Sequence, residues 1–190
     1  VVSNPVHGAL TGTSPNLTYT PDANYNGPDS FTFTVSDGTL TSTSATVSIT
    51  VTSVNDSPVA NAGPDQTVEA TSPAGAAVTL SGSGSDVDTD PLTYSWAGCF
   101  GTATGATPTV TIPIGVCSIT LTVTDSHGAT ATDTVQITVR DSIAPTGTIV
   151  IAGGLASTNT ASVALTLSCT DSGSGCSQMQ FSDDNATFTV

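Results

Sequence analysis

Apolar and polar residues alternate in short runs along most of the chain: NLTYT (16–20), SFTFTVSD (30–37), ATVSITV (45–51), AVTLSG (77–82), LTYSW (92–96), SITLTVTD (118–125), TVQITV (134–139), TIVI (148–151) and SVALTL (162–167). A period of two places every second side chain on one face of an extended strand, whereas a helix needs apolar residues three and four positions apart. Gly, Pro, Asn and Asp gather between the runs, where a strand must end and the chain must turn. The pattern predicts an all-β protein of antiparallel sandwiches, each sheet with one buried face. Leu92, Tyr94 and Trp96 share one face of one run, the arrangement of core residues that meet Ile119, Leu121 and Val123 across a sheet. Tyr25 and Phe100 fall between runs and are the aromatics expected to remain exposed.

Two joints interrupt the alternation. TSVNDSPVANAGPD follows the run ending at Val51, and RDSIAPTG follows the run ending at Val139; each leads through acids or amides to a proline that cannot continue a ladder. They divide the chain into modules at about 1–56, 57–141 and 142–190. Only the middle module carries enough strands to close a sandwich of roughly seven strands by itself. The outer two carry about half that number. A half sandwich leaves an apolar face and unpaired edges open, so the polypeptide is expected to continue beyond both ends, or a neighbouring copy to donate strands and build a fibre.

The wording of the modules resembles known families. Residues 57–140, with ANAGPDQTV, VTLSGSGSDVDTDPLTYSW and LTVTDSHGATATDTVQITV, look like a polycystic-kidney-disease (PKD) domain, an Ig-like sandwich common in exported microbial proteins. Residues 3–60, with HGAL, NLTYTPDANYNGPDSFTFTVSDG and VNDSPVA, resemble the second half of a bacterial cadherin-like repeat. Residues 144–185, with APTGTIVI, SVALTLSCTDSGSG and MQFSDDN, resemble the first half of a bacterial Ig-like module. The resemblance implies tandem Ig-like antiparallel β-sandwiches joined by short Pro-containing linkers. It further implies an extracellular or cell-surface multi-domain protein whose segments adhere or act as a stalk. Its partners would be other modules of the same or neighbouring chains, with a surface glycan or protein as a further ligand class. The alternative is a set of spacer or accessory binding modules in a secreted hydrolase.

Charge sharpens this picture. The 190 residues carry a formal charge of -14, with fifteen acids against a single Lys or Arg, so a nucleic-acid or anionic-lipid surface has no basic patch to rest on. No apolar run approaches the roughly 20 residues of a spanning helix, which argues against direct membrane insertion. An export signal, if one exists, must lie outside these residues, because the first stretch lacks a charged and apolar leader pattern.

The acids concentrate in DVDTDP, residues 86–91. In an Ig-type sandwich this loop, the TDSHG turn at 124–128 and the incoming linker lie at one pole, so Asn55, Asp56, Asp86, Asp88, Asp90 and Asp125 are expected to converge. Calcium suits such a group, since it takes six to eight oxygen ligands in irregular geometry. The resemblance adds that VND-type joints of cadherin-like repeats bind calcium. The loop is not an EF-hand, because Pro91 and Ala97 stand where Gly and Glu are required. Asp22, in a turn of the first module, is expected to stand apart. Asp141 and Asp171 form a second, sparser metal candidate.

His7 and His127, far apart in the sequence, and four cysteines without a C-x-x-C pair give zinc little support. Disulfides fit better: Cys99 follows one strand and Cys117 begins its antiparallel neighbour, while Cys169 and Cys176 bracket the DSGSG turn. Sequons at Asn16, Asn55 and Asn185 permit glycosylation. No nucleophile elbow, metalloprotease pair or phosphate loop is present, and Asp86 and Asp88 sit in a polar loop without the apolar surroundings a general acid needs, so the chain is not expected to be an enzyme.

Overall fold

The computed structural model describes residues 1–151 and 165–180. In chain order its strands are β1 (Gly8–Thr13), β2 (Asn16–Pro21), β3 (Gly27–Phe33), β4 (Ala45–Val51), β5 (Val59–Asn61), β6 (Gln66–Glu69), β7 (Ala76–Thr79), β8 (Ser83–Ser85), β9 (Thr93–Gly98), β10 (Gly101–Thr104), β11 (Thr109–Ile112), β12 (Gly115–Thr124), β13 (Thr130–Arg140), β14 (Thr146–Ile151) and β15 (Leu165–Thr170). The described residues contain no helix, and the fold is all-β as the alternation predicts. Two compact units form: Val1–Ser57 with Asp86–Asp90, and Pro58–Ser85 with Pro91–Val190.

The second unit holds the core. A five-stranded sheet runs in the order β10-β9-β12-β13-β6, antiparallel throughout except for β6, which lies parallel to β13. Opposite it, β5 pairs with β8 and β7 with β11, and the second of these ladders continues through Leu80 N–H to Pro108 O and Gly82 N–H to Ala106 O, both 2.9 Å. The edge chain thus changes sheets between β5 and β6. Backbone amides that would be orphaned near this crossing are taken by carboxylates, with Ala62 N–H donating to Asp133 Oδ2 (2.8 Å) and Gln136 N–H to Asp65 Oδ1 (2.7 Å).

Alternation along β12 and β13 buries Cys117, Ile119, Leu121 and Val123 with Val135, Ile137 and Val139 and leaves the intervening Thr, Ser and Gln partly or fully exposed. Trp96, only 1% exposed, stands in register with Leu121, and Tyr94 with Val123, while Leu92 and Tyr94 are half-buried against the same cluster. The indole N–H of Trp96 is satisfied by Gly105 O at 2.9 Å. Its ring lies against the opposite sheet at Gly82, where a Cβ would come within 2.6 Å of Trp96 Cζ2. Phe100 is also half-buried on this core, beside Gly98 and Ile119, so it is not the exposed aromatic that its place between runs suggests.

The first unit is built of β1 paired with β2 and β3 with β4, and Ser3 bridges to Thr32. Among the described residues the buried hydrophobic side chains all lie between Ala62 and Val139; in the first unit Phe31, Phe33, Val47 and Ile49 are only half-buried. In the second unit β14 and β15 form a further antiparallel pair with Ile149, Val150, Leu165 and Leu167 exposed.

Several boundaries differ from the sequence pattern. SFTFTVSD stops being strand at Phe33, because Asp37 Oδ1 accepts Thr39 and Leu40 N–H and turns the chain. Ser83–Ser85, which lies between two alternating runs, is strand β8, and Gly84 allows the approach of Val59 O. The missed strands β1, β5, β6, β10 and β11 are short or built of Gly, Ala and Thr, where alternation leaves little signal. Residues 162–164 of SVALTL lie outside the described residues.

Truncating Trp96→Ala should cost about 3–5 kcal/mol of stability, and Gly82→Ala, which drives a methyl into the indole, about 1–3 kcal/mol. Urea unfolding followed by circular dichroism measures both. A Gly82→Ala protein as stable as the parent would show that the indole does not rest on that backbone.

Candidate functional site

The loop between β8 and β9 carries the concentrated acids, and Asp86–Asp90 belongs to the first unit together with the linker residues Asn55 and Asp56. The two segments meet directly: Asp56 N–H donates to Asp88 Oδ2 at 2.7 Å. Within the loop, Asp88 N–H donates to Asp86 Oδ1 (2.8 Å) and Thr89 N–H to Asp86 O (3.3 Å), closing a tight turn that holds Thr89 at φ 64. A β-branched residue in the left-handed region is held there only by its surroundings. Asn55 turns its amide onto Asp56 O at 3.0 Å. The other oxygen of Asp86, Oδ2, is buried and accepts no hydrogen bond.

Asp56 and Asp88 also line a cleft of about 220 Å³, shared with Asp22, Asn24, Tyr25 and Asn26. Sequence spacing sets Asp22 apart from the acid group, yet the fold of the first unit brings it to the same cleft. The sole Lys or Arg of the chain is Arg140, which belongs to the second unit.

Asp125 belongs to the second unit, in the turn between β12 and β13. It is 6% exposed, and its Oδ1 accepts the N–H groups of His127 (2.9 Å) and Ala129 (2.8 Å). Asp141, just beyond β13, accepts Ser174 N–H on Oδ2 (2.7 Å) and Ile143 N–H on Oδ1 (3.3 Å). The Ser174 hydroxyl and amide hold its carboxyl below the usual range. Asp171 Oδ1 accepts the N–H groups of Gly173 (2.6 Å) and Gly175 (3.3 Å).

Cys99 is bonded to Cys117 (Cα–Cα 5.9 Å) and Cys169 to Cys176 (6.3 Å). Closing the first loop contributes about 3 kcal/mol on chain-entropy grounds. His7 is stacked on Tyr25 with ring centroids 4.1 Å apart, and the Tyr25 hydroxyl donates to Pro28 O. Asn16 and Asn55 are exposed; Asn185 lies outside the described residues.

One carboxylate that organises the first unit escapes the sequence reading. Asp29, 8% exposed, receives N–H groups from Val6, His7 and Ser30 and the hydroxyl of Tyr19 at 2.9 Å. Burial pushes its pKa up, but these four donors outweigh that and bring it down to about 2. Burial and the bond to Asp29 raise the Tyr19 phenol to about 12. In sequence Asp29 is one more turn acid beside Gly27 and Pro28; only the return of residues 6 and 7 onto β3 reveals it.

Residues 62–139 match the family model of the K319L-like PKD domain, and residues 1–50 that of a bacterial Ig domain, where the sequence resemblance was to a cadherin-like repeat. No curated protein matches the chain. Among solved structures, a nucleoside hydrolase-related protein from Saccharophagus degradans, associated with carbohydrate metabolism, is 27% identical over 46% of this chain, with a TM-score of 0.38. The chain spans only 26% of that protein's length. The fibronectin(III)-like modules of CbhA from Clostridium thermocellum are 18% identical, with 74% of this chain and 79% of theirs covered and a TM-score of 0.38. The cadherin domains 1–4 of protocadherin gamma B7 are 16% identical, with 76% and 42% covered and a TM-score of 0.45. Ig-like and PKD modules are typical of extracellular multi-domain proteins, typically non-catalytic, and commonly contact other modules or chains.

Because the folded pKa of Asp29 lies below the value of about 3.9 for an unfolded aspartate, its stabilisation is complete above that value and is lost as pH falls through about 2. Asp29→Asn should therefore lower the melting temperature of the first unit at pH 7 and flatten its decline between pH 4 and pH 2. NMR signals of Tyr19 and Phe31 report on this unit. An unchanged pH profile in the variant would remove Asp29 from that role.

Proposed function

We propose that the chain is a non-catalytic segment of a microbial extracellular or cell-surface protein, serving as an adhesive or structural stalk. In this reading calcium ties the linker residues Asn55 and Asp56 to the loop of Asp86, Asp88 and Asp90. The observation that carries the calcium reading is the buried, unpartnered Asp86 Oδ2, next to a carboxylate already engaged by the linker amide. An anionic oxygen removed from water without a donor is costly unless a cation faces it, and the first unit has no Lys or Arg to do so. The donors are carboxylate, amide and backbone oxygens, the hard set that calcium prefers. When bound, calcium would supply charge neutralisation and a rigid link between linker and loop.

Two features support the stalk reading. All four cysteines are paired, as suits an oxidising compartment, and the matched families are modules of extracellular proteins. The carboxyls of Asp29, Asp37, Glu69, Asp133 and Asp141 are each displaced downward. A general acid needs the opposite displacement. Other modules of the same or neighbouring chains are the partners this role calls for.

Thermal melting in EDTA and in millimolar calcium tests the site. At a free concentration a hundredfold above its dissociation constant, calcium should add about 2.7 kcal/mol to the first unit. Asp88→Ala should abolish most of that response and Asp22→Ala should leave it in place. Equal melting temperatures with and without calcium would refute the site, and loss of the response in Asp22→Ala would overturn the ligand set by making Asp22, on the same cleft, one of its members.

A further inference from the structure

We propose that the loop closed by Cys169 and Cys176 is an intramolecular latch that fixes the path of the chain as it leaves β13, with backbone amides in place of a metal. The exit itself is clamped first. Glu69, at the end of β6 and in register with Arg140, accepts Ser142 N–H at 2.5 Å and the Ser142 hydroxyl at 2.9 Å, with Arg140 Nε 3.9 Å from the same carboxylate. These contacts pull Glu69 below the usual carboxylate range, the Ser142 amide leading.

The adjacent Asp141 then meets the disulfide loop. Its Oδ2 accepts Ser174 N–H at 2.7 Å, and Gly173 is buried directly against the carboxyl group. A Cβ on Gly173 would lie 2.2 to 2.6 Å from the Asp141 carboxyl atoms, so no other residue fits while the contact is made. Gly175 adopts φ +81, and a Cβ built there would meet Pro73 Cγ, in the turn between β6 and β7, at 3.4 Å. Inside the loop Asp171 gathers the Gly173 and Gly175 amides, and the disulfide joins its two ends across 6.3 Å. The loop therefore arrives with its shape set and meets the sandwich at Asp141.

The consequence falls on the β14–β15 pair. Its register begins with Thr146 opposite Thr170, whose hydroxyls are 2.8 Å apart, immediately beside the latch. Fixing Ser142 at one end and Gly173 and Ser174 at the other leaves the start of this pair little freedom. Amide donors already occupy both oxygens of Asp141 and one of Asp171, the acids that the sequence pattern offers as a second cation site. The latch has no need of a cation.

Amide hydrogen exchange by NMR on the full chain tests this. In the parent, the Ser142 and Ser174 amides should be protected to the same degree in EDTA and in millimolar calcium. Gly173→Ala, which keeps the disulfide but blocks the contact, should speed exchange at Ser174 at least tenfold while Ile119 and Ile137 in the core stay protected. The paired change Cys169→Ser with Cys176→Ser should do the same. Unaltered Ser174 exchange in both variants would overturn the latch, and loss of Ser174 protection on adding EDTA would show that a cation holds the joint.

Discussion

Packing of the Trp96 indole against the bare backbone at Gly82 is the constraint from which the second unit follows. The two sheets can approach this closely only because position 82 lacks a Cβ, and the approach places Leu121 and Val123 under the β7–β8 chain. It also fixes where that chain goes next. β8 is held between β5 and the core, with Val123 and Leu92 against Gly84.

A chain with fifteen acids and one Lys or Arg cannot neutralise its carboxylates with salt bridges, and the structure solves the problem with backbone amides. Asp29, Asp37, Asp65, Asp125, Asp133, Asp141 and Asp171 each accept main-chain N–H groups at turns and crossings. The trade works in both directions. An aspartate gains donors that hold it ionised, and an amide that no ladder can reach gains an acceptor. Against that background Asp86 Oδ2 stands out as a buried carboxylate oxygen that receives nothing.

How far the sequence reveals this depends on the scale of the signal. Long alternating runs such as SITLTVTD and TVQITV mark β12 and β13 because one face is wholly buried, and the same alternation places Trp96 opposite Leu121. Strands of three or four small residues leave no such mark; β8 is strand because β5 pairs with it, and nothing in SGS alone says so. The acid loop is legible as a cluster but not as a grouping. Asp125 caps its own turn in the second unit, and the fold brings Asp22, distant in sequence, to the cleft of Asp56 and Asp88. Asp29 is hidden for a related reason, since its four donors come from three separate stretches of chain.

Both linkers leave a β-branched run through acids and both end in proline, yet the local chemistry around them differs. Near Asn55 and Asp56 the linker amide of Asp56 donates to Asp88 Oδ2, in a loop where Asp86 Oδ2 is buried without a donor. Beyond β13 each acid meets donors: Glu69 meets Ser142, Asp141 meets Ser174, and Asp171 meets the glycine amides of its own turn. On the calcium reading proposed above, the first arrangement gains strength when a cation enters. On the latch proposal, the second is closed by a disulfide and by amide donors of the chain itself. Similar linker sequences thus meet different surroundings, and the difference lies in the one Asp86 oxygen that no donor reaches, against carboxylates beyond β13 that amides engage.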